Sequence, residues 1–262
     1  VQYVPINSPS LRISEKETSV YFKETNLGEY DAMFPRISVS YREWGYTICK
    51  ILSQHNIYIP YAPESIIWAH SKFLTIEIFK RHKLPVPETY LALNTNVARK
   101  VINKLGFPLV VKLIGGSGGK GVMYLESEAS ASSLFDTLET LKQPLFIEKY
   151  IENVGEDIRG FVIGNEVIGM KRKAKKGDIR ANIHSGGTGE AYVLSEEEIN
   201  LALRAARAIK ADIAGIDWVK DKDGKPWIIE ANISPGLTGI SKATGKNIAE
   251  RIVDYVYEKV RG

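Results

Sequence analysis

Hydrophobic and polar positions along the chain follow two different periods. In five segments the apolar residues recur at helical spacing, and we predict a helix for each of them. Ser195, with Glu198 three positions later, forms a capping box before one of these segments, and Gly106 ends another. The five segments are YREWGYTICKILSQHN, SIIWAHSKFLTIEIFKRHKL, NVARKVINKLGF, SEEEINLALRAARAIKAD and GKNIAERIVDYVYEKVRG.

Two short apolar runs near the C-terminus flank the dipeptide Asp223-Gly224, a pattern typical of a β-hairpin. A turn at this dipeptide is expected to pair Lys220 with Lys225. Counting back along both strands then sets Asp217 opposite Ile228. Because side chains alternate along a strand, this pairing decides which face of the hairpin Asp217 occupies.

The same alternation gives the hairpin one polar face that suits a metal ion. Glu230 and Asn232 lie on the face of Ile228, and therefore on the face of Asp217. Two carboxylates and an amide carbonyl are hard oxygen ligands, which Mg²⁺ prefers, and Mg²⁺ usually takes further ligands from substrate phosphates. The pattern favours a nucleotide site here, and a solvated hairpin with ordinary surface acids is the alternative.

A glycine-rich loop between two predicted strands also indicates nucleotide binding. The β-branched run from Pro108 to Ile114 is typical of a buried strand, and residues 121–125 resume extended character before a polar stretch from Glu126. The loop lacks the following helix of a dinucleotide fingerprint, and Gly121 stands after Lys120 where a P-loop has Ser or Thr. Its N–H groups could close over phosphates as a flap, as in protein kinases, or the loop could be a flexible hairpin tip.

Lys112 lies inside the first of these strands, which is otherwise apolar. A buried ammonium group is costly unless an anion or a carboxylate meets it, so we expect Lys112 to face phosphate groups. An edge-strand lysine that discourages aggregation is the alternative.

The composition is that of an ordinary globular chain, with 44% hydrophobic and 25% charged residues over 262 positions, enough for one or two domains. The single cysteine, Cys49, excludes an internal disulfide. No apolar run reaches the length of a membrane span and no signal-peptide pattern is present, so we predict a cytoplasmic protein without a membrane partner. The sequence begins at Val1 like the middle of a domain, which predicts that an initial βα unit of roughly 30 residues is missing.

The segment from Lys171 to Arg180 is strongly basic, and the chain has a net charge of +4. Such a run is typical either of a nucleic-acid-binding surface or of a solvated face. Few aromatic residues interleave with it, which disfavours a platform for single strands. The same positive field would attract ATP and an acidic substrate.

Several motifs, in the same order, resemble those of ATP-grasp enzymes and most closely those of RimK-type α-L-glutamate ligases. The resemblance implies a mixed α/β (α+β) fold in which two α+β subdomains grip ATP, preceded by a smaller α/β domain. We place this N-terminal domain at residues 1–66 and the ATP-grasp domain at 67–262, with a glycine-loop lid subdomain at about 108–146. The motifs run from about Tyr30 to the C-terminus and include DAMFPRIS, PLVVKLIGGSGGKGV, DIRGFVIGNEVIGMKRKAKKGDIRANIHSGG, AGIDWV and IIEANISPGLTGISKATGKNIAERIVDYV.

The resemblance also implies roles for individual residues. Two Mg²⁺ ions, with Mn²⁺ as an alternative, are implied on Asp217, Glu230 and Asn232, in agreement with the hairpin argument. Guanidinium groups suit carboxylates and phosphates. The arginines implied for catalysis are Arg159, Arg172 and Arg180, and the first two match positions that hold acidic substrate or the acyl-phosphate. The positions implied for ATP are Lys72, Lys112, Gly118, Gly119, Lys149, Tyr150, Ile151, Asp157, Lys171, Arg180, Ala181 and Asn182.

Within the ATP set, Lys72 and Lys112 match phosphate-contacting lysines, residues 149–151 match the adenine hinge, and Asp157 matches a ribose contact. The chain departs from the family before the hinge Tyr150. Relatives often carry Glu at the position where this chain has Lys149. Backbone contacts to adenine are expected to survive that change.

The implied reaction joins a carboxylate to an amine through an acyl-phosphate, with ATP as phosphoryl donor and L-glutamate or a similar amino acid as substrate. The acceptor stays open between a protein C-terminal tail, a glutamylated coenzyme and an amino-acid carrier protein. The glycine loop and the segment KRKAKKGDIR would act as lids that keep water from the intermediate. A nucleotide-binding scaffold without chemistry and a nucleic-acid-binding module are the alternatives, and a homo-oligomer is a family expectation.

The reaction needs no protein nucleophile, so Cys49 needs no catalytic role. The two carboxylates are expected to face a site rather than the core. On that basis Asp217→Ala or Glu230→Ala should abolish turnover and leave the fold intact.

Overall fold

The computed structural model describes residues 1–114, 121–141, 143–153, 155–174 and 188–262. Strands and helices alternate along these residues, as predicted for a mixed α/β fold. The strands are β1 Ser10–Ile13, β2 Thr18–Phe22, β3 Thr25–Asn26, β4 Thr89–Ala92, β5 Leu109–Leu113, β6 Val122–Leu125, β7 Leu145–Lys149, β8 Glu156–Ile163, β9 Glu166–Lys173, β10 Thr188–Ala191, β11 Ile213–Lys220 and β12 Pro226–Asn232. The helices are α1 Arg42–Leu52, α2 Pro63–Ala69, α3 Lys72–Arg81, α4 Thr95–Leu105, α5 Glu128–Leu141, α6 Glu196–Ala208, α7 Leu237–Thr244 and α8 Ile248–Arg261.

A four-stranded antiparallel sheet, in the order β4-β7-β5-β6, packs one face against helices and carries two charged side chains on the other. Alternate side chains such as Leu109, Val111 and Ile147 pack with α4 and α5 in one apolar cluster. Lys112 and Glu148 lie on the opposite face, because Lys112 pairs with Phe146 and side chains alternate along each strand.

A five-stranded antiparallel sheet, in the order β10-β9-β8-β11-β12, is covered on both faces. One face, with Ile158 and Trp218, packs with α3 and α6 in the largest apolar cluster. The other face carries Phe161 and Ile213, which pack with α7 and α8 at one end of the sheet. The remaining end of this second face is polar, and it holds the candidate site.

The N-terminal part has its own three-stranded sheet, β1-β2-β3, and a small apolar cluster that includes Val20 and Leu52. Other residues of this part, Cys49 and Tyr61, belong to the largest cluster together with residues of the five-stranded sheet. Burial raises the pKa of the Cys49 thiol to about 12, which leaves it unreactive near neutral pH. No helix in the part of the chain that the structure describes has the length and apolarity needed to cross a membrane.

Two helix predictions needed correction. The segment predicted as one helix from Ser65 breaks into α2 and α3, because side chains of His70 and Thr75 compete for backbone carbonyls at the junction. His70 Nδ1 lies 2.8 Å from the carbonyl oxygen of Ile66, and the Thr75 hydroxyl donates to that of Trp68 at 2.7 Å. The polar stretch after Glu126 forms α5, whose apolar positions were too widely spaced among serines to be recognised.

Both predicted helix caps are confirmed. Ser195 and Glu198 form a reciprocal capping box at the start of α6. Gly106 ends α4 at φ +69° and ψ −177°, a conformation that is open essentially to glycine alone.

Gly106→Ala should therefore destabilise the protein by about 1–3 kcal/mol, through backbone strain alone. A Cβ at Gly106 would meet nothing within 4 Å, and the same is true at Gly236, where φ is −66°. Gly236→Ala is the matched control, expected to be neutral or stabilising by about 0.4–1 kcal/mol. Urea unfolding measures both, and equal free energies of unfolding for the two variants would contradict the strain argument.

Candidate active site

A β-bulge in the β11–β12 hairpin sets two carboxylates opposite each other. Near the turn Lys220 pairs with Pro226, so the predicted register was wrong by one position. The register then shifts by one residue, and beyond the shift Asp217 lies directly opposite Glu230. Without the bulge Asp217 would pair with Ile229, and Glu230 would project from the other face. The prediction that the two carboxylates share a face is thus confirmed, through an irregularity that the sequence pattern did not reveal.

Asn232, at the end of β12, completes the set of oxygen donors. Its Oδ1 accepts a hydrogen bond from the backbone N–H of Ser234 at 2.8 Å, which orients the amide group. Two carboxylates and an amide oxygen fit the ligand preference of Mg²⁺. No group of three or more His, Cys, Asp and Glu residues among the described positions could hold a metal ion. A cation at this hairpin would therefore need the amide oxygen, water and substrate oxygens as ligands.

The Asp217 carboxylate is 2% exposed and is held by two guanidinium groups. Arg159 donates from Nε to Oδ1 and from Nη2 to Oδ2, each at 2.7 Å, and Arg172 Nη2 donates to Oδ2 at 2.8 Å. Burial alone would raise the pKa of Asp217, but the charges of Arg159 and Arg172 outweigh it and lower the pKa to about 2. Oδ1 accepts only the bond from Arg159 Nε among the described residues, which leaves one of its lone pairs without a partner there.

Arg172 joins a second carboxylate to this network. It lies opposite Asp157 in the β8–β9 pair, and Nη2 donates to Asp157 Oδ2 at 2.9 Å, in addition to a bond from Nε to Oδ1. Burial raises the pKa of Asp157 to about 6 against the opposing charge of Arg172, and the nearby Asp217 charge raises it further. The charges of Asp217 and Asp157 hold the pKa of Arg172 above its usual value despite burial. The predicted ribose ligand Asp157 thus has both oxygens engaged within the protein.

Local sequence explains how four charged groups come to lie on one sheet face. On β8, Asp157 and Arg159 alternate with buried apolar residues, and Arg159 stands opposite Asp217 on β11. Strand alternation therefore puts Asp157, Arg159 and Asp217 on the same face. Gly215, two residues before Asp217, lets Pro235 approach this face closely, because a Cβ there would lie 3.1 Å from Pro235 Cβ.

Lys72, the first residue of α3, approaches the hairpin from outside the sheet. Its Nζ lies 3.5 Å from Oε1 of Glu230, and the Glu230 side chain is 46% exposed. Glu230 is therefore accessible to solvent, whereas Asp217 is almost completely buried.

On the four-stranded sheet, Lys112 is paired with a carboxylate that sequence reasoning did not assign. Lys112 Nζ lies 2.5 Å from Glu148 Oε2 and 5.2 Å from the centre of the Phe146 ring. Glu148 is buried, and its Oε1 has no hydrogen-bond partner among the described residues. A buried acceptor without a partner is rare, so a donor from outside the described residues would be favourable here. The sequence does contain a signal for Glu148. It lies two positions after Phe146, the partner of Lys112, and therefore on the same face of the sheet as Lys112.

The predicted adenine hinge follows directly after Glu148. The N–H of Lys149 donates to the carbonyl of Glu88 at 2.9 Å, and that of Tyr150 donates to the carbonyl of Pro108 at 3.3 Å. These two N–H groups hold the hinge in place rather than pointing to a ligand. The N–H of Ile151 makes no hydrogen bond within the described residues.

An apolar cluster connects the four-stranded sheet with the five-stranded sheet. Phe146, on the face of Lys112 and Glu148, belongs to the same cluster as Ile158 and Ile228 of the five-stranded sheet. Asp217 lies on the other face of the five-stranded sheet, because it pairs with Arg159, the neighbour of Ile158 on β8.

Some predicted site residues lie elsewhere or outside the described residues. Lys171 points to the opposite face of β9 from Arg172, and its Nζ lies 3.5 Å from Glu156 and 3.3 Å from Glu190. The structure does not bring Lys171 to Asp217. The predicted residues outside the described ranges are Gly118, Gly119, Arg180, Ala181 and Asn182.

Comparison with known proteins identifies the family of this chain. The RimK-like ATP-grasp domain matches residues 69–256. The chain belongs to the RimK-like ATP-grasp family. A "Probable alpha-L-glutamate ligase" of Syntrophotalea carbinolica is 33% identical over 249 residues, covering 94% of this chain and 82% of the relative. The protein is accordingly an ATP-grasp ligase.

A second relative and a solved structure extend the comparison. The "Probable alpha-L-glutamate ligase" of Rhodopirellula baltica is 32% identical over 254 residues, or 96% of this chain, and this RimK-like chain spans 62% of that relative's length. The structure of the ATP-grasp ligase PsnB with precursor peptide PsnA2 and AMPPNP superposes with a TM-score of 0.75. That likeness covers 97% of this chain and 86% of PsnB at 16% identity, which confirms the predicted fold.

The burial of Asp217 changes what its removal should do to this RimK-like ligase. Asp217→Ala should lower the free energy of unfolding by about 3–5 kcal/mol, because it leaves Arg159 and Arg172 with one carboxylate between them. An intact fold was expected for this variant on the premise that Asp217 faces a site rather than the core. That premise was wrong, since Asp217 is buried. Glu230→Ala is the matched variant on the facing strand, and its exposed side chain predicts a change within about 0.5 kcal/mol.

Urea unfolding of both variants checks this contrast. Equal stability of Asp217→Ala and the wild type would contradict the buried network. Asp217→Asn, which keeps the shape and part of the hydrogen bonding, should fall between them.

Proposed function

We propose that this ATP-grasp ligase forms an amide bond between a carboxylate and an amine through an acyl-phosphate, and that L-glutamate is the amino acid it adds. The observation that carries the proposal is the pairing of Asp217 with Glu230 across the bulge, beside Asn232. The names of relatives at 32–33% identity support glutamate. The acceptor proposed is a protein tail or a glutamylated coenzyme, and a carrier protein is the second candidate.

The oxygen donors of the hairpin would hold Mg²⁺, as two ions, which Mn²⁺ could replace. Bound Mg·ATP would supply the γ-phosphoryl group that activates the carboxylate, and phosphate would leave when the amine attacks. Asp217 stays ionised at neutral pH because its pKa is about 2, so it keeps its charge for a cation. Arg159 and Arg172 fix the direction of that carboxylate, which removes the need to reorganise it during the reaction.

The four-stranded sheet would supply the other half of the site. Lys112 is proposed to orient and neutralise phosphate oxygens, with Glu148 fixing its ammonium group. Glu148 Oε1 and the Ile151 N–H are an acceptor and a donor that suit the edge of an adenine base. Both adenine contacts are proposals, as is the role of Lys72 at the phosphates.

The test is ADP release with Mg·ATP, L-glutamate and a panel of carboxylate acceptors, with products measured by mass. We expect a glutamyl mass increment on one acceptor. Glu230→Gln should abolish ADP release without loss of stability, because it removes an exposed metal ligand. Asp223→Asn, at the exposed tip of the same hairpin, is the matched control and should retain full activity.

Removal of divalent metal by EDTA should also stop the reaction, and added Mg²⁺ should restore it. Full activity of Glu230→Gln would exclude the hairpin as the metal site. Absence of ADP release from the wild type with every acceptor would instead favour a nucleotide-binding scaffold.

Lys112→Met should raise the KM for ATP about tenfold or more, because it removes a charge-assisted contact with phosphate. The single variant leaves Glu148 buried without a counter-charge, so the double variant Lys112→Met/Glu148→Gln tests the contact in a neutral setting. Steady-state kinetics at varied ATP measures the effect. An unchanged KM in both variants would show that Lys112 serves only to balance Glu148.

A further inference from the structure

The arginines assigned to acidic substrate in the described part of the chain are engaged by protein carboxylates. Arg159 uses Nε and Nη2 on Asp217, and Arg172 bridges Asp157 and Asp217. A substrate carboxylate that bound these donors would compete with a buried, charge-assisted pair. Such pairs are costly to break, because one partner is left without its counter-charge. A different guanidinium is better placed to recognise an acidic substrate.

Arg36, in the motif DAMFPRIS, reaches the same end of the site from the N-terminal part. Its Nη2 donates to the carbonyl oxygens of Pro235 at 3.1 Å and Ser234 at 3.4 Å. These residues follow the candidate metal ligand Asn232, whose Oδ1 accepts from the N–H of Ser234. The guanidinium therefore sits beside the loop that holds a metal ligand, at the phosphate-transfer end of the proposed site.

The backbone that carries Arg36 is fixed on both sides. Pro35 and Ile37 are buried, and the hydroxyl of the buried Tyr61 donates to the Pro35 carbonyl at 2.7 Å. The Arg36 guanidinium also lies 5.9 Å from the centre of the Phe34 ring. A side chain held in this way loses little freedom when it binds a ligand, so its contacts are realised at low entropic cost.

The remaining N–H donors of Arg36 meet no hydrogen-bond acceptor in the described ranges of the chain. Arg36 is exposed, and within the described residues its Nε and Nη1 have no hydrogen-bond partner and no carboxylate forms an ion pair with it. We propose that Arg36 binds a carboxylate of the acidic substrate through these donors, and so sets the preference of the enzyme for an acidic amino acid. The assignment rests on the proposed ligase function and adds a specificity residue to it.

The test is equilibrium binding rather than turnover. Calorimetric titration of L-glutamate and of glutarate into protein saturated with Mg·AMPPNP should give about 10–100-fold weaker binding for Arg36→Gln than for the wild type, the size expected for a hydrogen bond to a charged group. Arg36→Lys should recover part of the loss, because the charge returns without the planar fork. Affinity for Mg·AMPPNP should be unchanged in both variants.

Arg12→Gln is the matched control, since Arg12 is an exposed arginine on the edge strand β1 and has no assigned role. Thermal unfolding of each variant checks the fold, and Arg36→Lys keeps the test open if Arg36→Gln is unstable. Equal carboxylate binding by Arg36→Gln, or no carboxylate binding by the wild type, would overturn the assignment. Weaker Mg·AMPPNP binding with unchanged carboxylate binding would overturn it too, since Arg36 would then serve the triphosphate. Failure of the ligase proposal is a separate result, because it is measured by ADP release.

Discussion

The buried charge network of Asp157, Arg172, Asp217 and Arg159 is the interaction on which the rest of the site depends. Two carboxylates and two guanidinium groups compensate one another on one face of the five-stranded sheet, across three of its strands. Such a network offers little net stability over an apolar core, but breaking it is costly. The network instead fixes the orientation of the Asp217 carboxylate before any ligand binds.

The fixed carboxylate of Asp217 lies beside an exposed one, that of Glu230. The bulge sets Glu230 opposite Asp217, and the two differ in burial, from 2% for Asp217 to 46% for the Glu230 side chain. One is held by arginines and the other is free to meet solvent. A cation bound here would have one rigid and one adaptable ligand, which suits an ion that keeps waters and accepts substrate oxygens.

The four-stranded sheet also fixes a charged side chain by an ion pair, between Lys112 and Glu148. Lys112 is half-buried and lies against Glu148 and above Phe146, so its ammonium group is also fixed by a carboxylate. Glu148 Oε1 has no hydrogen-bond partner among the described residues. Each sheet therefore fixes the direction of one charged side chain through ion pairs with its neighbours.

The sequence by itself determined the local structure of this protein and the types of residue in its site. Strand alternation, the turn at Asp223-Gly224 and the caps at Gly106 and Ser195 depend on neighbours in the chain, and motif order identified the family. The tertiary structure decided which of the charged residues are available. The bulge that aligns Asp217 with Glu230, the consumption of Arg159 and Arg172 by carboxylates, and the approach of Arg36 to the loop after Asn232 are contacts between distant segments. Periodicity assigns a side chain to a face but cannot say which partner it meets there, because that depends on how strands far apart in sequence are paired.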